Sequence, residues 1–203
     1  MIAIIDYDAG NLKSVEKALV SLGAEPVVTR DPRELLAADH VILPGVGAFG
    51  DAMEKLHQYH LIPVIREIAD RGTPFLGICL GLQLLFEGSE ESPGVCGLGL
   101  CKGTIRILPQ TEGLKVPHMG WNSLCYGTAN GRLFQGIPEH SYVYFVHSYY
   151  LRAENPAIVT ASTEYITRIH ASIEQDNLFA CQFHPEKSGS VGLAILKNFL
   201  TIR

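Results

Sequence analysis

The chain has 203 residues, with 16 Lys and Arg against 21 Asp and Glu, a formal charge of −5 with the histidines neutral. Hydrophobic residues at 47 % and charged residues at 18 % exclude a disordered composition, and the mild acidity without a Lys/Arg cluster argues against a nucleic-acid surface. The length predicts one domain, 1–203, with enough chain for one large core.

Ile2–Ile5 reads as a buried strand, followed by Leu12, Val15, Leu19 and Leu22 at helical spacing, with Gly23 as the stop. Pro26–Thr29 and Val41–Leu43 are further strands, the latter closed by Pro44. A helical stretch from Asp51 to Arg71 is expected to be interrupted at Pro63. Phe75–Ile78 is a fourth strand that leads at once into a helix at Leu80–Phe86. This βαβα order predicts an α/β fold, a mostly parallel open sheet with helices on both faces. In the second half, short strand-like runs at 100–107, 121–126, 142–146, 158–162, 166–173 and 178–183 precede a closing helix from Gly189. These runs predict mixed or antiparallel extensions of the same sheet, and Gly88–Gly99 reads as a surface loop.

The N-terminus passes from Met1 straight into Ile2-Ala3-Ile4-Ile5-Asp6, without the basic and apolar regions of a secretion leader. No apolar run approaches the ~20 residues of a membrane span. The five cysteines, Cys79, Cys96, Cys101, Cys125 and Cys181, are odd in number and include no C-x-x-C pair. Free thiols in a reducing cytoplasm fit this pattern, and no metal site is expected.

Gly77-Ile78-Cys79-Leu80-Gly81 follows an apolar strand and precedes a helix, the form of a nucleophile elbow. A thiol at a helix N-terminus meets the positive end of the dipole, which favours thiolate. The Leu80 N–H would face an oxyanion formed there. The alternative is a small buried apolar cysteine. Among eight histidines, His184 lies at the C-terminal end of a predicted strand, the end where sites form in parallel sheets. Glu186, past Pro185, can fix its tautomer, or the segment can be a plain turn with a solvated carboxylate. His57 and His60 share a helical face at i, i+3 but lack a third metal ligand in register. Gly45-Val46-Gly47-Ala48-Phe49-Gly50 matches G-x-G-x-x-G literally, yet it follows the third strand, and Glu67 at the required distance lies in a helical pattern. A glycine turn beside the Cys79 strand can instead present an N–H to an oxyanion.

Pro-Gly-Val-Gly at 44–47, Gly-Ile-Cys-Leu-Gly with Gln83 at 77–83, and Phe-His-Pro-Glu at 183–186 together resemble the class I, triad-type glutamine amidotransferases. The resemblance spans nearly the whole chain. Four further segments are similar to the glutaminase subunits of histidine biosynthesis within that family. They are residues 5–15, Pro-His-Met-Gly-Trp-Asn at 117–122, Tyr-Phe-Val-His-Ser-Tyr at 144–149, and Lys187-Ser188. Glutaminases of other pathways, such as vitamin B6 or purine synthesis, usually lack the tryptophan motif and the lysine. A catalytically dead scaffold or nucleotide-binding module is the reading from a different class.

The resemblance implies that Cys79 attacks the side-chain amide of glutamine, that His184 moves the proton, and that Glu186 orients His184. It implies oxyanion donors at Leu80 and in the Gly45-Val46-Gly47 turn, and glutamine contacts from Gln83, Ser148, Tyr149 and Gly47. It implies no cofactor. It also implies a heterodimer, because 203 residues cannot hold a (β/α)₈ cyclase of ~250 residues as well. The cyclase is then a separate subunit that receives ammonia, and Met119, Trp121, Asn122, Tyr144 and Lys187 are the interface candidates. A peptide flip in the 45–47 turn would gate the site, and Gly45→Ala would alter activation more than basal turnover.

Overall fold

The computed structural model describes residues 1–127 and 131–203. In chain order the elements are β1 (Ile2–Ile5), α1 (Leu12–Ser21), β2 (Pro26–Thr29), α2 (Pro32–Leu36), β3 (His40–Gly45), α3 (Phe49–Gln58), α4 (Leu61–Asp70), β4 (Phe75–Cys79) and α5 (Leu80–Leu84). There follow β5 (Gly88–Ser89), β6 (Gly103–Ile107), β7 (His118–Ser123), β8 (Cys125–Tyr126), β9 (Tyr142–His147), β10 (Tyr149–Ala153), β11 (Val159–Glu164), β12 (Arg168–Gln175), β13 (Leu178–Cys181) and α6 (Gly189–Thr201).

The main sheet has eight strands in the order β2-β1-β3-β4-β13-β12-β11-β8. Its first five strands run parallel, and β12, β11 and β8 extend it antiparallel. The strand period of two sorts β1 into two cores. Ala3 and Ile5 pack with α2, α3 and α4 through Leu35, Phe49, Leu56, Ile65 and Ile68. Ile4 faces the other way, to Val15 and Leu19 of α1 and Ile195 and Phe199 of α6. The expected sheet with helices on both faces is therefore present.

The second half departs from the expectation of one extended sheet. β10, β6 and β5 form a separate three-stranded sheet, and β7 pairs with β9 in a two-stranded one. The chain switches sheets at Ser148, the single residue between β9 and β10. The helix break also falls elsewhere than Pro63. It lies between α3 and α4, where His60 takes a left-handed conformation at φ 55°. Pro63 sits inside the first turn of α4, where the N–H it lacks has no helical partner to bond. α2 was not anticipated, although Asp31 caps it by accepting from the Arg33 N–H at 2.8 Å and Pro32 opens it.

Candidate active site

Cys79 ends β4 and begins the turn into α5 with φ 55° and ψ −105°, a conformation that side chains rarely adopt. The flanking glycines make this turn possible by close approach. A Cβ on Gly77 would lie 2.7 Å from the Gly81 carbonyl oxygen, and one on Gly81 would lie 1.9 Å from that of Leu43. α5 thus sits against the backbone of β3, and Cys79 pairs in register with Gly45. Leu80 is the first residue of α5, so its N–H belongs to the set that helices leave unpaired.

His184 follows β13, the strand beside β4, and the turn after it is a short 3₁₀ segment at Pro185–Lys187. Its position is fixed by backbone bonds. The His184 N–H donates to the Tyr144 carbonyl at 2.9 Å, and the Ser188 hydroxyl donates to the His184 carbonyl at 2.6 Å. Nδ1 of His184 lies 2.7 Å from Oε1 of Glu186, with both side chains buried. The same oxygen accepts from Nδ2 of Asn11 at 2.5 Å. Burial opposes protonation of His184, but the neighbouring Cys79 and Glu186 outweigh it and raise its pKa to about 9. Nε2 of His184 is buried and makes no hydrogen bond among the described residues. It is the ring nitrogen left for chemistry.

A cavity of about 350 Å³ contains both Cys79 and His184. Gln83, Ser148 and Tyr149 line it, as do Val46, Gly47 and Leu80. Gly45 does not line it. It is buried at the end of β3, where a Cβ would stand 2.3 Å from the Tyr7 hydroxyl and 3.0 Å from Cβ of Leu80. Gly45→Ala would therefore disturb packing and is a poor probe of a peptide flip. Gly47 has φ +101° and open space around it, so the conformational demand of the turn falls there.

The G-x-G-x-x-G match ends at α3, and the two amides that open this helix are taken. The Phe49 N–H donates to Oε2 of Glu91 at 2.8 Å and the Gly50 N–H to Oγ of Ser92 at 3.0 Å. A carboxylate thus occupies the place a pyrophosphate would need. His57 and His60 are exposed, and no group of three or more metal-ligating side chains converges among the described residues.

Residues opposite each other on an antiparallel pair share a face, and β7 and β9 use both of theirs. Trp121 opposes Tyr144 and Met119 opposes Val146, while Val146 also lines the cavity. Met119 and Trp121 are 62 % and 55 % exposed, unusual for large apolar residues side by side. Tyr142, on the same face, is 59 % exposed and was not anticipated. Lys187 is exposed nearby in sequence to the His-Pro-Glu turn. Asn122 is half-buried, and its amide donates to the Glu164 carbonyl at 2.8 Å. Asn11 and Gln182 escaped the sequence reading. Nδ2 of Asn11 holds Glu186, and Nε2 of Gln182 donates to Cys79 Sγ at 3.7 Å.

The glutamine amidotransferase class-I family model matches residues 3–202. The chain belongs to this family. This amidotransferase is 52 % identical over 202 residues to the imidazole glycerol phosphate synthase subunit HisH of Thermosynechococcus vestitus, covering 99 % of this chain and 96 % of the relative. The HisH of Moorella thermoacetica is 56 % identical over 98 % of this chain and 93 % of its own. That of Methanocaldococcus jannaschii is 50 % identical over the full length of both. Among solved structures, one described as a glutamine amidotransferase superposes with a TM-score of 0.77 at 18 % identity, over 98 % of this chain and 97 % of the other. PurLQS from Thermotoga maritima superposes with a TM-score of 0.76 at 22 % identity, over 98 % and 96 %. At these identities the two structures speak to the fold alone.

Proposed function

We propose that this amidotransferase is the glutaminase subunit of an imidazole glycerol phosphate synthase, acting in the cytoplasm. The observation that carries the chemistry is a strained thiol, Cys79, in one cavity with a histidine whose other nitrogen is held by a buried carboxylate. The pathway rests on similarity of 50–56 % to HisH subunits along nearly the whole chain.

Glutamine enters the cavity, with Gln83, Ser148 and Tyr149 around it. Cys79 Sγ attacks the side-chain amide carbon as the thiolate, its proton already held on His184 Nε2. The oxyanion is held by N–H groups of Leu80 and of the Val46-Gly47 turn, each donor worth ~2.7–4 kcal/mol. The C–N bond breaks as His184 returns the proton to the leaving nitrogen, so ammonia departs and a glutamyl thioester remains. Water then attacks the thioester, His184 takes a proton from it, and glutamate departs as the Cys79 thiolate is restored.

The exposed Met119, Trp121 and Tyr142 beside the cavity wall support a docking face for a cyclase subunit of (β/α)₈ form. That subunit would use the ammonia to make imidazole glycerol phosphate and AICAR from the phosphoribulosyl precursor PRFAR.

A glutamine-analogue electrophile tests the nucleophile. Peptide mass spectrometry is expected to find one adduct, on buried Cys79, and none on exposed Cys96, with excess glutamine protecting Cys79. Labelling of Cys96 in place of Cys79, or no protection by glutamine, would contradict the assignment.

A further inference from the structure

Two histidines outside the triad, His118 of β7 and His147 of β9, form a buried pair, 3 % and 6 % exposed. Nδ1 of His118 lies 3.0 Å from Nε2 of His147. Nδ1 of His147 lies 2.9 Å from the Tyr149 carbonyl oxygen. Nε2 of His118 lies 3.4 Å from Nδ2 of Asn122.

The chemistry of these atoms fixes every proton. A carbonyl only accepts, so His147 Nδ1 donates to Tyr149. Burial lowers the pKa of His147 to about 3 and of His118 to about 4, so both rings are neutral at pH 7. A neutral ring protonated at Nδ1 must accept at Nε2, so His118 Nδ1 donates to His147. His118 Nε2 is then an acceptor, which suits the Asn122 amide. The His118 ring is clamped between Phe145 and Tyr165, with ring centroids 4.7 and 4.1 Å away.

The inner end of this chain reaches the substrate cavity. The Tyr149 carbonyl accepts a second hydrogen bond, from Gln83 Nε2 at 3.2 Å, and Gln83 Nε2 also donates to Oε1 of Gln182 at 3.2 Å. Both amide hydrogens of Gln83 are thereby committed. Its carbonyl oxygen is what it has left to offer a bound amino acid, and that oxygen suits the α-ammonium of glutamine.

We propose that His118 is a positioning residue for glutamine: its donation to His147 fixes the tautomer that donates to Tyr149, and the doubly bonded Tyr149 carbonyl holds Gln83 with its acceptor toward the substrate. This rests on the glutaminase reading above. A His147 ring in the other tautomer would set a lone pair against the Tyr149 carbonyl, and the segment that carries Ser148 and Tyr149 would have to shift. The outer end of the chain is Asn122, on the strand that presents Met119 and Trp121, so the same bonds tie that face to the cavity.

The test uses the complex of this chain with a histidine-pathway cyclase subunit and the cyclase substrate, reading glutamate release against glutamine concentration. His118→Phe keeps a flat ring between Phe145 and Tyr165 but removes the donor. It is expected to raise KM about tenfold, the scale of one lost buried hydrogen bond, with a smaller change in kcat. His118→Asn places an amide donor near the Nδ1 position and gives up the stacking, and it is expected to keep KM closer to wild type. The reverse order would show that ring packing alone matters and would overturn the proposal. His147→Asn retains a donor to the Tyr149 carbonyl whatever stands at 118, so adding His118→Phe to it should leave KM unmoved, and a full additive rise would also overturn it. A cooperative unfolding transition in each variant checks that the fold is kept. An inactive wild-type complex would overturn the glutaminase reading itself, whereas an active one with unchanged KM in His118→Phe would overturn this inference alone.

Discussion

Glu186 is buried with Oε1 bound by His184 and Asn11, while Oε2 has no partner among the described residues. A buried carboxylate held on one side only is costly unless a positive charge stands beside it. Cys79 first and Glu186 second raise the pKa of His184 against its burial, and the protonated ring supplies that charge. The sign follows from proton binding. A histidine raised from 6.5 to about 9 adds stability that is fully present below about pH 6.5 and is lost as pH rises through about 9. Glu186→Gln removes one of the groups that raise it. The His184 ring, followed by NMR, is expected to titrate below 9, and the stability advantage of wild type over the variant should shrink across that window. In the same variant kcat is expected to fall by about 10²–10⁴, the range for a disabled general acid–base. An unshifted titration would contradict the pairing. Cys79, His184 and Glu186 were legible because their neighbours in sequence, two glycines and a proline, announce the local turn. Asn11, Gln182 and His118 were not, because each acts through a partner far along the chain, and only folding brings Asn11 to Glu186.

The site hangs on how closely β3, β4 and α5 approach. Gly81 meets the Leu43 carbonyl so closely that any side chain must push α5 away from β3, and both partners there are backbone. Gly81→Ala is expected to destabilise the fold by about 3 kcal/mol or more, the upper end for overpacking, read as a lower urea midpoint. Gly72→Ala is the comparison, since Gly72 has open space and only a positive φ of +77°, and it is expected to cost about 1 kcal/mol. Equal losses would mean that close packing of the elbow is not the constraint. At this scale β1 to β4 and α1 were readable from apolar periodicity. The end of α3 was not, because a left-handed histidine carries no breaker signal, while Pro63 carries one that a first helical turn does not obey. β10 escaped because one residue, Ser148, separates it from β9, and no Gly, Pro, Asn or Asp marks the turn.

Across the whole molecule, the parallel half of the sheet follows from local order, since βαβ units place consecutive strands side by side. The later strands distribute over three sheets, and β9 and β10, adjacent in sequence, pair with β7 and β6 rather than with each other. Such partners are set by long-range pairing that strand propensity does not encode. The sheet switch at Ser148 puts one end of the β7–β9 ribbon on the cavity wall and leaves Met119, Trp121 and Tyr142 facing outward beside it. In the function proposed above, glutamine hydrolysis here serves a cyclase on that face. The direct measurement is glutamate release by the purified chain alone, then with a histidine-pathway cyclase subunit and its ribonucleotide substrate. Weak release alone and strong release in the full mixture are expected, while absence of release in every mixture would overturn the proposed function.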